Sequence, residues 1–212
     1  MRLELLDQHV NSLYQVLGGI RPLVPVAELQ RLYGNRDYTG VVGFVRDTMG
    51  LRLRIRVGYA NSGGPKTAPA WVELPKAFPI IGSPAFKNMT VTMYIRKRFI
   101  EEAPFASFVA AVAHEMSHVL LGALQNPLAA NEEATDLTAM MMGFSEFYVQ
   151  GSLYLKKWSL KQPRPIGGTL DTVLDELLDW STFHHLGYLS PEEVVIAAEG
   201  IKRMWVRQTM GV

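Results

Sequence analysis

Residues 105–124 read FASFVAAVAHEMSHVLLGAL, an apolar stretch interrupted near its middle by the polar group HEMSH at 114–118. Pro104 and Gly122 stand where helices commonly begin and end, so the stretch is predicted to be an α-helix. Its length approaches the roughly twenty residues that span a bilayer. However, no other run in the sequence approaches eighteen apolar residues that could surround its polar groups inside a membrane. We therefore expect the core helix of a globular protein and no membrane span.

The composition around this helix is that of an ordinary globular chain. Its 212 residues, 48% hydrophobic and 19% charged, fit a single domain over 1–212. The net charge of +1 gives no overall electrostatic argument for nucleic acid or an anionic membrane as partner. The chain has no cysteine, which excludes disulfides, thiol nucleophiles and cysteine-bound metals. Any bound metal must therefore be held by histidines and carboxylates.

The periodicity of apolar residues predicts an α+β fold on either side of the central helix. Alternating residues favour strands at 51–59, 70–74 and 90–96, and helical spacing favours helices at 3–17, 25–33, 104–122, 131–157, 169–185 and 191–208. The last helix opens with Ser190-Pro191-Glu192-Glu193, a capping box with proline at its first position. We expect a small mixed or antiparallel sheet within 1–103 packed on the central helix, and a mainly helical region over 104–212.

The two halves of the chain carry opposite charge. Residues 1–106 have a net charge of +6, and residues 107–212 have a net charge of −5. Arg52, Arg54 and Arg56 alternate with apolar residues on the first predicted strand, where they could form a solvated sheet face or a basic surface for nucleic acid. The solvated face is the simpler interpretation, so nucleic acid is not the expected partner.

The N-terminus gives an expectation about location. Glu4, Asp7 and His9 fall where a secretory signal would need a continuous apolar run. We therefore expect a cytoplasmic protein, with specialised export left open.

The motif His114-Glu115-Met116-Ser117-His118 indicates a metal site. Residues i and i+4 of a helix lie one turn apart on the same face, so both imidazoles can bind one ion. Glu115 is adjacent to His114, so its carboxylate can reach a metal-bound water without being a ligand itself. The alternative is a core helix with two satisfied histidines, which is costly because two histidines and a glutamate would be buried without a metal.

A catalytic zinc site usually has three protein ligands and one open position, so a third ligand is needed. No histidine follows His118 closely, and the next candidates lie in the segment 131–136, NEEATD. Asn131 can cap a helix there, which places Glu132 and Asp136 on one face at i and i+4. Glu132 is predicted as the zinc ligand, and Asp136 as the acceptor for the second ring N–H of a ligand histidine, most simply His114. Glu133 remains a rival ligand on spacing alone.

HExxH on one helix followed by ExxxD on the next resembles the gluzincin group of zinc metallopeptidases. The resemblance covers residues 90 to about 143 and is to the compact, single-domain members of the group. It implies Zn²⁺ bound by His114, His118 and Glu132, with Glu115 as general base and Asp136 supporting a ligand. It also implies that a strand just before the first helix lines the cleft and pairs with an extended peptide, and residues 90–96 occupy that place in the sequence.

The resemblance therefore implies a zinc-dependent metalloendopeptidase with a zincin-like fold and a peptide or protein substrate. Such a mechanism needs a donor for the tetrahedral oxyanion. No motif selects the donor among the downstream candidates Tyr148, Tyr154, Arg164, His184, His185 and Tyr188. The alternative function is a catalytically silent zinc-binding module for regulation or protein interaction. A peptidase associated with nucleic acid through its basic N-terminal half is a third hypothesis.

Overall fold

The computed structural model describes residues 2–65, 68–151 and 189–211. The N-terminal part contains α1 (Arg2–Leu17), α2 (Val26–Gly34), α3 (Tyr38–Thr48), β1 (Arg54–Ala60), β2 (Ala70–Glu73), α4 (Pro84–Asn88), β3 (Thr90–Arg96) and α5 (Lys97–Glu102). The C-terminal part contains α6 (Phe105–Ala123), a 3-10 turn (Pro127–Ala130), α7 (Glu132–Ala139), a π-helical segment (Met140–Phe144) and α8 (Pro191–Met210). The predicted α+β class is confirmed at this level: helices predominate around one small mixed sheet.

The sheet has the strand order β1-β3-β2. β1 runs parallel to β3, with Ile55 opposite Val91, and β2 runs antiparallel to it, with Val72 opposite Met93. β3 is therefore the central strand. Its side chains alternate between a buried face (Val91, Met93, Ile95) and a more exposed one, as expected for a sheet covered on one side.

Helix α6 forms the centre of the core. Phe108, Val109, Val119 and Leu121 have no exposed surface, and the helix contacts both β2 and α3. Within the described residues it is the one helix long and apolar enough to cross a membrane, and 72% of that apolar window is buried inside the protein.

Helix α3 was not predicted. Its sequence, YTGVVGFVRDT, contains two glycines and three valines, which have modest helix propensity. The helix forms nevertheless, because Asp37 caps its N-terminus and Val41, Val42 and Val45 are buried against the core. Tertiary packing here outweighs local preference.

The helix predicted at 131–157 contains a kink. α7 passes into the π-helical segment, where Gly143 has φ of 99°, and helix resumes at 145–151. A Cβ at Gly143 would lie 2.3 Å from the carbonyl oxygen of Pro22. The extended segment after α1 packs there, since the N–H groups of Arg21 and Val24 donate to the carbonyls of Met141 and Gly143.

The C-terminal helix begins as predicted. Ser190 and Glu193 form the capping box, and Pro191 is the first helical residue. The helix predicted at 169–185 lies outside the described residues, as do residues 152–157 of the preceding prediction.

Candidate metal centre

The two histidines of the HEMSH motif lie side by side on the face of α6 that contacts α7. Their rings are 4.8 Å apart between centroids and nearly perpendicular, at 84°. Each side chain is largely buried, with 14% of His114 and 15% of His118 exposed. The one-turn spacing therefore places both imidazoles toward one point, as the motif predicts.

A tight turn after α6 returns the chain to this face. The buried side chain of Asn126 accepts a hydrogen bond from the N–H of Leu128, which begins the 3-10 turn. Asn131 then caps α7, because its side chain accepts from the N–H of Ala134 at 2.8 Å. Glu132 is thus the first residue of α7, and its carboxylate reaches the histidines on α6.

Three donor atoms form a nearly equilateral triangle. Oε2 of Glu132 lies 3.1 Å from Nε2 of His114 and 3.1 Å from Nε2 of His118. The two Nε2 atoms are 3.2 Å apart. A tetrahedral zinc ion with bonds of about 2.05 Å separates its ligand atoms by about 3.3 Å. The spacing of these three atoms therefore fits one small ion, and the three residues could hold a metal.

Asp136 orients His114 from the opposite side of the ring. Its Oδ1 lies 2.8 Å from Nδ1 of His114, and its carboxylate is completely buried. The second oxygen, Oδ2, accepts a hydrogen bond from the backbone N–H of Leu189 at 3.3 Å. With Nδ1–H donated to the carboxylate, Nε2 is the ring nitrogen whose lone pair could bind a metal ion at the triangle. Asp136 therefore occupies the supporting position predicted for it.

Thr135 makes the corresponding contact to His118, and sequence analysis missed it. Its hydroxyl oxygen lies 3.4 Å from Nδ1 of His118. The sequence could have indicated this contact. At 3.6 residues per turn, residues 135 and 136 lie on either side of Glu132 around the helix axis, so both flank the face that carries Glu132.

Glu115 has an unexpected partner in the sheet. Its Oε2 accepts a hydrogen bond from the backbone N–H of Val72 on β2, at 3.1 Å. The expectation that residues 90–96 pair with an extended peptide is wrong. β3 is paired on both sides, whereas β2 is one of the two edge strands and lies against Glu115. The order of strands in a sheet does not follow from the order in the chain, so proximity in sequence was misleading.

The donor groups perturb the pKa values of one another strongly. Burial alone would lower the pKa of His114, but hydrogen bonds to Asp136 and Glu132 outweigh burial and raise it to about 10. For Glu132, burial acts to raise the pKa, and the hydrogen bonds to His114 and His118 lower it to about 2. Burial raises the pKa of Glu115 despite the nearby histidines. Without a metal, the centre thus favours a protonated His114 beside an ionised Glu132.

These shifts predict how the stability of the metal-free protein depends on pH. The raised pKa of His114 stabilises the fold fully below pH 6.5, and this contribution is lost as pH rises toward 10. The lowered pKa of Glu132 contributes above pH 4.5, and this contribution is lost as pH falls toward 2. We expect the unfolding free energy of chelator-treated protein, measured by urea titration, to fall as pH rises above 6.5. The fall should be smaller in His114→Gln, and an identical slope in both proteins would contradict the assignment.

The oxyanion donor is not identified among the described residues. Tyr154, Arg164, His184, His185 and Tyr188 lie outside them. Tyr148 is described and is only 2% exposed, with its hydroxyl beside the Asp136 carboxylate. Burial and that carboxylate raise the pKa of Tyr148 well above its usual value. A hydroxyl buried in this position adjoins Asp136 and is not placed to meet a substrate.

The structure thus brings together the predicted residues His114, Glu115, His118, Glu132 and Asp136. Between the two candidate third ligands, Glu132 supplies the converging oxygen, and Glu133 is not part of the cluster. A comparison of the chain with protein-family models, curated proteins and solved structures finds no match. The geometry of the described residues is therefore what supports a functional assignment: two histidines and one glutamate that could hold a metal ion, with the carboxylate of Glu115 beside them.

Proposed function

We propose that this protein is a zinc-dependent hydrolase of peptide bonds, a metalloendopeptidase of the gluzincin type. The observation that carries the proposal is the triangle of His114 Nε2, His118 Nε2 and Glu132 Oε2, with sides of 3.1 to 3.2 Å, beside the carboxylate of Glu115. Three protein ligands leave a fourth tetrahedral position open, which is the arrangement of catalytic zinc sites. Two imidazoles with one carboxylate and no thiolate are a common ligand set of zinc hydrolases.

Zinc held by His114, His118 and Glu132 would supply Lewis acidity and would lower the pKa of a water molecule to about 7. The chain's own contribution is the position of the groups around it. Asp136 holds Nδ1–H of His114, so that ring cannot rotate away from the triangle without breaking a buried hydrogen bond.

Glu115 is the general base of this proposal. One of its carboxylate oxygens is held by the N–H of Val72, which leaves the other to take a proton from the attacking water. Its pKa is raised by burial, which brings the carboxylate closer to the range that suits proton transfer near neutral pH. Glu115 would then pass the proton to the amine that leaves when the C–N bond breaks.

The substrate class is suggested by the strand beside Glu115. β2 pairs with β3 on one side, and no described residue pairs with its other edge. The N–H of Val72 on this edge donates to Glu115. The N–H and C=O of one strand residue point to the same side, so the carbonyl of Val72 also faces this edge and is the group that a peptide could bind. An extended polypeptide can hydrogen-bond to such an edge as an added strand. A main chain held there would lie next to the general base.

The test begins with the metal content of the purified chain, measured by inductively coupled plasma mass spectrometry. We expect about one zinc per chain. We also expect hydrolysis of fluorescently labelled casein that a chelator abolishes and added zinc restores. A protein that binds no zinc even after reconstitution would refute the proposal. Zinc binding without hydrolysis of casein or of a mixed peptide library would instead support the silent zinc-binding module.

A further inference from the structure

The two ligand histidines have different partners on their outer nitrogens. His114 donates Nδ1–H to a carboxylate, that of Asp136. His118 faces the neutral hydroxyl of Thr135, the residue immediately before Asp136 in the chain. Both partners come from the same turn of α7 and have no exposed surface.

The hydroxyl of Thr135 already donates its single proton to a backbone carbonyl. Its Oγ1 lies 3.0 Å from the carbonyl oxygen of Asn131, one turn earlier, and 3.4 Å from Nδ1 of His118. The shorter contact takes the proton, so Oγ1 presents a lone pair to the imidazole. Nδ1 of His118 then carries a hydrogen, and Nε2 can offer its lone pair to a metal ion bound between Glu132 and His114.

We propose that Thr135 is a positioning residue for the metal ligand His118: its hydroxyl accepts Nδ1–H, fixes the tautomer and directs Nε2 to the metal. This inference rests on the proposed zinc site. It assigns to His118 a supporting residue, as Asp136 is the supporting residue of His114. The carbonyl of Asn131 does not depend on the hydroxyl, because it also accepts the backbone N–H of Thr135 at 3.0 Å. Removing the hydroxyl therefore leaves only one group without a partner, Nδ1–H of His118.

Thr135→Val tests this directly, because valine has nearly the same shape and lacks the hydroxyl. Groups that support a metal-binding histidine typically contribute 10- to 100-fold to affinity. For a neutral acceptor at 3.4 Å we expect the zinc Kd to rise about tenfold, measured by competition with a chromophoric chelator. In the zinc-loaded variant, the Nδ1–H proton resonance of His118 should exchange faster with water than in the wild type.

Two further variants separate this role from packing. Thr135→Ser keeps the hydroxyl and loses the methyl, so its zinc Kd should stay within about twofold of the wild type while its metal-free form unfolds at lower temperature. Thr138→Val is the matched control: Thr138 is equally buried on α7, and its hydroxyl donates to the carbonyl of Ala134 at 2.7 Å, the same one-turn bond without a histidine. Its zinc Kd should not change.

Affinity should therefore follow the hydroxyl at residue 135, and thermal stability should follow the methyl group. A zinc Kd for Thr135→Val equal to that of the wild type would overturn the inference while leaving the zinc site intact. Absence of zinc binding in the wild type would overturn both. If the valine variant does not fold, Thr135→Ala removes the hydroxyl without adding volume and gives the same comparison.

Discussion

Replacing Glu132 by glutamine should abolish stoichiometric zinc binding, whereas the same change at the next residue, Glu133, should leave it intact. Structural zinc sites bind their ion with an apparent free energy of about 10 to 16 kcal/mol, which is shared among their ligands. Loss of one anionic ligand should therefore cost about 4 kcal/mol, or about a thousandfold in Kd. Glutamine keeps the shape of the side chain, so the loss would come from the missing charge and not from altered packing.

The comparison of the two variants separates a ligand effect from a charge effect, because the two glutamates are neighbours in the first turn of α7. Both carry the same charge near the same helix N-terminus, but only Glu132 places an oxygen 3.1 Å from both histidines. Zinc content and chelator competition, measured side by side with the wild type, give the comparison. Equal losses in the two variants would mean that a general reduction in negative charge, rather than a ligand, explains the effect.

The sequence predicted the three residues that could hold a metal because their geometry is local. His114 and His118 are fixed relative to each other by one turn of helix, and the same turn relates Glu132 to Asp136. Only the meeting of α6 and α7 required the fold, and the short connection between them limits how they can pack. Spacing alone could not decide whether Glu132 or Glu133 is the third ligand, since that depends on how Asn131 caps the helix.

The parts that sequence reasoning missed depend on contacts between distant segments. The contact of Val72 with Glu115 joins residues 43 positions apart, and the contact of Leu189 with Asp136 joins residues 53 positions apart. Both use backbone N–H groups, which every non-proline residue has, so no residue type marks them. The exchange of β2 for β3 as the strand beside the site has the same cause.

Glu115→Gln should reduce casein hydrolysis by about a thousandfold while the zinc content stays at the wild-type level. A positioned general base typically contributes 10²- to 10⁴-fold to the rate. The carbonyl oxygen of the glutamine can still accept the N–H of Val72, so the side chain should keep its place and lose only its ability to take a proton. Turnover and zinc content should be measured on the same preparation. The exposed Glu101 on α5 is a suitable control, and Glu101→Gln should hydrolyse casein at the wild-type rate.

The two glutamate variants together separate binding from chemistry. If both roles are as proposed, Glu132→Gln loses zinc and activity, and Glu115→Gln loses activity alone. Undiminished hydrolysis in Glu115→Gln with zinc still bound would show that another group takes the proton, and the assignment of Glu115 as base would fail. The hydrogen bond from Val72 makes this a demanding test, because it holds Glu115 beside the triangle whether or not a substrate is present. Burying a carboxylate costs stability, and glutamine at this position avoids that cost while keeping the hydrogen bond from Val72. Glu115→Gln should therefore affect the rate of hydrolysis far more than the fold.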